Sequence, residues 1–126
     1  VVLTIFIVSC AGGPRGYIPY GTALSQVSTQ KLCVNYASTK NPKIKRELKS
    51  RDVIPESEWR LIDNGEIVRG MSEKALWASW GWPLGGVNMV SSRSGLYQYC
   101  YKGIGRYATH NYVYVRNGYV DDWQSF

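Results

Sequence analysis

The stretch from Asn64 to Pro83, N-G-E-I-V-R-G-M-S-E-K-A-L-W-A-S-W-G-W-P, most narrows what this chain can fold into. Asn64-Gly65 closes whatever precedes it, and Ile67 and Val68 give a short extended lead-in. Ser72 is placed as a helix N-cap, with Glu73 in the first turn, where the helix dipole favours a negative charge. Met71 just before the cap and Leu76 after it are spaced for a hydrophobic staple. Leu76, Trp77 and Trp80 fall on one stripe at helical spacing. Gly81 supplies a left-handed C-terminal position, and Pro83 keeps the helix from resuming. A short capped helix with a heavy aromatic face has to be covered by something. The segments that follow are of β type, so a helix on an antiparallel sheet is the economical solution.

Beyond Pro83 the period changes from helical to two. Gly85-Gly86 is a hinge, Val87 to Arg93 can extend as a first strand, and Ser94-Gly95 is a tight turn. Leu96 to Lys102 then alternates Tyr97, Tyr99 and Tyr101 against Gln98 and Cys100, and Gly103 and Gly105 open a loop. Tyr112 to Arg116 and Tyr119 to Gln124 flank Asn117-Gly118, the strongest short hairpin signal in the chain. A two-residue loop predicts a register of Arg116 opposite Tyr119, Val115 opposite Val120, Tyr114 opposite Asp121, Val113 opposite Asp122 and Tyr112 opposite Trp123. One face of the hairpin then carries Val113, Val115 and Val120, and the other Tyr112, Tyr114, Tyr119 and Trp123. We place the valine face under the helices and leave the tyrosine face partly wet. The opposite arrangement stays open, because aromatic rings also bury well.

Upstream, Ser28 begins a helical pattern in which Leu32, Cys33 and Tyr36 share a face, ended by Asn41-Pro42. A second helix fits Pro42 to about Arg51, with Ile44 and Leu48 four apart. A third short segment starts after Pro55, with Trp59 and Ile62 three apart, and ends at Asn64-Gly65. Glu56 and Glu58 suit the start of that segment through the helix dipole alone. The whole is an α+β domain over 28–126, helical over 28–63. Its short helices pack on one face of a small antiparallel sheet of three to four strands.

The net charge of +6 is unevenly placed: Lys31 to Arg51 holds seven basic residues against the single acid Glu47. One account is a solvated helix face; the other is a basic face near anionic lipid. Nucleic acid does not fit, because no aromatic residues interleave with the basic ones from Lys43 to Arg51.

The chain opens V-V-L-T-I-F-I-V-S-C-A-G-G, with no initiating Met and no basic n-region, so it is expected to start inside a longer precursor. A largely apolar run of eight residues is too short to span a bilayer, but it suits the end of a signal-peptide core over residues 1–9. Ile7-Val8-Ser9-Cys10 looks like a bacterial lipobox, in which the cysteine is lipidated and becomes residue one. Residues 10–27 would then be the lipidated Cys10 and its tether. The other reading of the apolar run is a buried β-strand.

The order G-E-I-V-R-G-M-S-E-K-A-L, W-G-W-P, Y-Q-Y-C-Y and Y-V-Y-V-R-N-G-Y-V-D-D-W-Q resembles the SmpA/OmlA (BamE-like) small lipoproteins. Members pair a G-M-S/T-x-x-x-V/L helix and a G-x-P turn with strands ending Y-x-Y-x-x-N-G-x-V-x-x-W. The likeness runs from Trp59 to Gln124, about half the chain. The helical stretch upstream departs from the short extended tether of the family's best-known member. The resemblance implies an α+β fold, a lipid anchor in the membrane through Cys10, a periplasmic site and work by binding. By the family's sorting rule, Ala11 after the cysteine points to the outer membrane.

The residues carry no local signature of catalysis. His110 stands between Thr109 and Asn111 without a Ser or Cys motif beside it. Asp121 and Asp122 are adjacent, so on a strand they point to opposite faces. The G-x-G at Gly103 and Gly105 lacks the strand-before, helix-after setting of a nucleotide fingerprint. No metal-ligand spacing and no cofactor motif is present. Cys33 and Cys100 either pair across the core in an oxidising compartment or are small buried hydrophobes. Two functional readings follow. The first is a lipid-anchored module that docks an envelope protein through Tyr97, Tyr99, Tyr112, Tyr114 and Tyr119. The second is an inhibitor-like protein that blocks a partner enzyme. Against both stands a chain whose tyrosines simply form the core.

Overall fold

A computed structural model of the chain describes residues 16–102 and 110–125. The signal-peptide end at 1–9, the lipobox cysteine Cys10 and the Gly103 and Gly105 loop lie outside the described residues. Four helices, α1 (Thr29–Thr39), α2 (Pro42–Arg51), α3 (Trp59–Asp63) and α4 (Glu73–Trp80), precede four strands. The strands are β1 (Val87–Ser91), β2 (Leu96–Lys102), β3 (His110–Arg116) and β4 (Tyr119–Ser125). They form one antiparallel sheet in the order β1-β2-β3-β4, with the helices packed on one of its faces. The fold is therefore α+β, as the periodicity predicts.

The helix starts follow from their capping chemistry. Ser28 accepts a hydrogen bond from the Lys31 amide, Asn41 from the Lys43 amide with Pro42 in the first turn, and Ser72 from the Ala75 amide. Each cap satisfies an amide that the helix itself leaves without a partner. Met71 and Leu76 are both buried around the third of these caps, as a hydrophobic staple requires.

One core unites the helices with the valine face of the sheet. Leu32, Cys33 and Tyr36 of α1, Ile44 and Leu48 of α2, and Trp59 and Ile62 of α3 meet Val113, Val115 and Val120 there. The aromatic stripe expected on α4 is corrected by the packing. Its deepest residues are Ala75, Leu76 and Ala78, with Ser79 also buried, while Trp77 and Trp80 are only half-buried. Small side chains let α1 lie close along α4, and the tryptophans fill the flanks. Residues 16–27, expected as tether, also belong to the packed body. Val27 is buried, Ile18 and Leu24 lie against the core, and the Gly16 carbonyl accepts from Asn35 Nδ2 at 2.7 Å.

The Asn117-Gly118 turn has positive φ at both residues, 51° and 87°, as a primed two-residue hairpin turn needs. Val115 pairs with Val120 and Arg116 with Tyr119 as expected, but the ladder then shifts. Tyr114 faces Asp122, Val113 faces Trp123 and Tyr112 faces Gln124. A bulge at Asp121 inserts one residue into β4. It moves Trp123 from the tyrosine face to the valine face, where it packs against the core.

The sheet and the helical layer are joined at residues 70–73. Gly70 donates to the Val120 carbonyl at 2.8 Å, Val120 donates back to Met71 at 2.8 Å, and Glu73 donates to Gly118 at 2.9 Å. Glu58 holds the same junction from the other side, taking the Ser72 amide at 3.0 Å and the Ser72 hydroxyl at 2.7 Å. Its role therefore exceeds the dipole effect expected from its position. Replacing Glu58 by Ala removes two hydrogen bonds to a carboxylate in a partly buried setting, and should cost about 2–3 kcal/mol in denaturant unfolding. Glu56→Ala breaks an exposed pair with Lys49 (3.1 Å) and should cost about 1 kcal/mol or less. Equal losses for the two variants would contradict this account of the junction.

Candidate functional site

The five tyrosines expected on one partner-binding face divide between two. Tyr97 pairs with Val115 and Tyr99 with Val113, so both take the valine side of the sheet. Tyr99 is buried at 3% exposure. Its ring lies 6.1 Å from that of Trp82 and 6.4 Å from that of Tyr101, and its hydroxyl donates to Glu73. Tyr101 continues the chain, 5.3 Å edge-on to Trp80 and donating to the Gly81 carbonyl at 2.8 Å. Tyr99 is thus a pillar between β2 and α4 and not a docking residue. Burial, with the Glu73 carboxylate beside it, pushes the Tyr99 hydroxyl pKa up, so it stays protonated. Tyr97 has the same parity but lies at the end of the sheet and remains 39% exposed.

Tyr112, Tyr114 and Tyr119 share the opposite face, directed away from the helices. There a side-chain ladder crosses all four strands. Asn88 Nδ2 donates to Gln98 Oε1 at 3.3 Å, Gln98 Nε2 to the Tyr114 hydroxyl at 3.1 Å, and that hydroxyl to Gln124 Oε1 at 3.4 Å. Sequence reading missed Asn88, Gln98 and Gln124 as members of this surface. The face they share becomes legible only once the strand registers are known. Such amides and phenols, held in place by one another, present directed donors and acceptors beside apolar ring surface.

Cys33 and Cys100 are both buried free thiols, and a disulfide between them is corrected by the strand parity. Cys33 sits in the core on α1. Cys100 follows the inward Tyr99 on β2 and so takes the outer face, with Asn88 Nδ2 at 3.5 Å and Gln98 Oε1 at 3.7 Å. The sheet separates them. Burial pushes the Cys33 thiol up to about 12, against smaller opposing effects of Lys74 and Arg51, so it is an unreactive core residue. His110 is exposed at the start of β3, opposite Lys102.

The basic run is largely engaged within the molecule. Lys45 and Lys49 flank the Trp59 ring at 5.5 and 5.6 Å, while Lys45 pairs with Asp63 at 2.7 Å. Arg51 reaches Glu47 at 2.9 Å, Thr29 Oγ1 at 3.1 Å and the Leu24 carbonyl at 2.9 Å. A concavity of about 760 Å³ lies elsewhere, between α1 and the turn after α4, and Tyr17, Trp80, Trp82 and Leu84 line it. Among the described residues no helix is long and apolar enough to cross a membrane.

No family model matches the chain, and neither a curated protein nor a solved structure matches it.

Asp63 anchors the helical layer through Lys45 and through the Tyr36 hydroxyl at 2.7 Å. Burial raises its pKa, but the hydrogen bonds from Lys45 and Tyr36, with the charges of Lys45 and Lys40, outweigh this and hold it below the ordinary value. A depressed folded-state pKa means that the contribution is present above the usual carboxylate range and is lost as pH falls through the lowered value. Thermal unfolding between pH 6 and pH 2 should therefore show a smaller acid-induced fall in Tm for Asp63→Asn than for the parent chain. Parallel profiles would contradict this role.

Proposed function

We propose that this chain is a non-catalytic, lipid-anchored protein-binding module. It serves envelope assembly or integrity at the periplasmic side of the outer membrane, among or beside the SmpA/OmlA lipoproteins that its C-terminal half resembles. The observation that carries the reading is the hydrogen-bonded Asn88–Gln98–Tyr114–Gln124 ladder with Tyr112 and Tyr119 on the same outward face. Tyrosine gives contact area with a polar handle, and a surface whose side chains already hold one another loses less freedom on docking. Tyr99 is no part of this surface, and Tyr97 stands apart from it. The anchor is supported by the I-V-S-C sequence at Ile7–Cys10. One lipid chain binds reversibly, whereas several acyl chains at about 0.8 kcal/mol per buried methylene hold a protein at a bilayer.

The test is expression of the full precursor in a Gram-negative host, with a photoreactive residue at Tyr114 or, as a control, at the exposed Tyr20. Intact mass should match a chain that starts at Cys10 and carries acyl groups. Irradiation should cross-link an envelope protein from position 114 and not from position 20. A partner enzyme whose activity falls in the cross-linked complex would select the inhibitor reading. An unmodified chain that retains Val1–Ser9 sinks the anchor. A failure to cross-link from positions 112, 114 and 119 sinks the binding face.

A further inference from the structure

The two edges of the sheet are treated differently. At β4 the outward amide and carbonyl of Val120 are taken by Met71 and Gly70. That edge also carries Asp122, paired with Arg69 at 2.9 Å, and Asp121, paired with Arg116 at 3.4 Å. Covering a strand edge with chain and placing charge on it are the usual means of preventing further strand addition.

Among the described residues neither device is present at β1. The Cys100 amide donates to the Gly86 carbonyl at 3.0 Å, and β1 then pairs Val87 with Tyr99, Asn88 with Gln98 and Met89 with Tyr97. Hydrogen-bonded and non-hydrogen-bonded pairs alternate along an antiparallel ladder. Asn88 therefore turns its amide and carbonyl toward Gln98, while those of Val87 and Met89 point away from β2. Among the described residues no strand pairs on that side. The strand V-N-M-V-S holds no charge and no proline. Met89 and Val90 are 61% and 52% exposed, and the ladder shifts register between Met89 and Ser91.

The charge around this edge indicates its occupant. Arg93 and Lys102 are the basic residues at the two ends of this edge, and from Lys74 to Val120 the sequence contains no Asp or Glu. Arg93 follows the far end of β1. At the near end the Lys102 side chain crosses Gly85, its Cε 3.0 Å from where a Cβ on that glycine would stand. A second copy laid antiparallel on β1 would bring the Arg93 of one chain toward the Lys102 of the other, so self-pairing is opposed. An acidic segment would instead meet these two cations as partners.

We propose that β1 accepts an extended, acidic segment of a partner polypeptide as a fifth strand. Backbone hydrogen bonds go to Val87 and Met89, apolar side chains lie against Met89 and Val90, and carboxylates meet Arg93 and Lys102. The proposal rests on the protein-binding reading and not on the anchor. It adds the mode of docking and the chemistry of the partner.

The test uses the full chain, isotopically labelled, and a nine-residue peptide alternating Val and Thr with Asp and Glu. A counterpart peptide carries Lys at every acidic position. The acidic peptide should shift the Val87 and Met89 amides, and the lysine peptide should bind about tenfold more weakly or worse. Met89→Pro removes only an outward amide, which an edge strand tolerates. It should leave Tm unchanged and weaken the acidic peptide about tenfold or more. Val90→Glu, at an exposed position, should weaken the peptide in the same direction by charge and so serves as a second, independent block.

Binding unaffected by both variants overturns the proposal, as does equal binding of the lysine peptide. Concentration-dependent dimers abolished by Met89→Pro would overturn the assigned occupant in favour of a second copy. Shifts confined to Tyr112, Tyr114 and Tyr119 overturn the edge while leaving the protein-binding reading standing. Absence of any shift also overturns the edge; the wider reading is then decided by cross-linking from position 114.

Discussion

The helical layer and the sheet depend on one another through the four residues Gly70 to Glu73. Their backbone lies against the start of β4, exchanging hydrogen bonds with Val120 and Gly118. The same residues begin α4, and Ser72 caps it while Glu58 grips Ser72 from the segment before α3. The start of the helix, the first residues of the last strand and the end of the helical half are thus tied at one place. Met71 and Leu76 close the apolar side of the junction, both fully buried. Further along the helix, Tyr99 and Tyr101 continue the attachment to the sheet through Glu73, Gly81 and the Trp80 ring.

The same junction determines which surfaces are left over. Residues 70–73 occupy the β4 edge and the helices occupy the valine face, so among the described residues the outer face and the β1 edge are left uncovered. The outer face is polar and aromatic, with its side chains already bonded to one another. The β1 strand itself carries no charged residue and exposes Met89 and Val90. Asn88 belongs to both, its side chain on the ladder and its backbone in the edge strand. The basic helix α2, which dominates the charge of the sequence, is mostly engaged in holding Trp59, Asp63 and Glu47 in place.

What the sequence reveals and what it hides divides along physical lines. Caps, turns and helix periods are local, and Ser28, Asn41, Ser72 and Asn117-Gly118 all act where their chemistry places them. The bulge at Asp121 is not local, since a tight turn sets the register only as far as the next irregularity. The side taken by Tyr99 depends on how β2 aligns with β3, which a connection between them does not specify. Its position on the valine face removes it from the binding surface and separates Cys100 from Cys33. Glu58 and Ser72 are fourteen positions apart with no spacing rule to link them, so their bond is invisible until the chain is folded. Residues 16–27 read as tether because Pro19 and Gly21 signal turns and no period shows, yet Val27 is buried and Ile18 and Leu24 pack against the core.

The central claim is that this fold closes one sheet edge with its own chain and, among the described residues, leaves the other unpaired. Native-state amide hydrogen exchange on the full chain measures that difference directly. The account predicts strong protection at Gly70 and Val120, close to that of the core amides. It predicts fast exchange at Val87 and Met89, with Asn88 between them protected. Protection at Val87 and Met89 equal to that at Val120 would contradict it, because the β1 edge would then already be occupied.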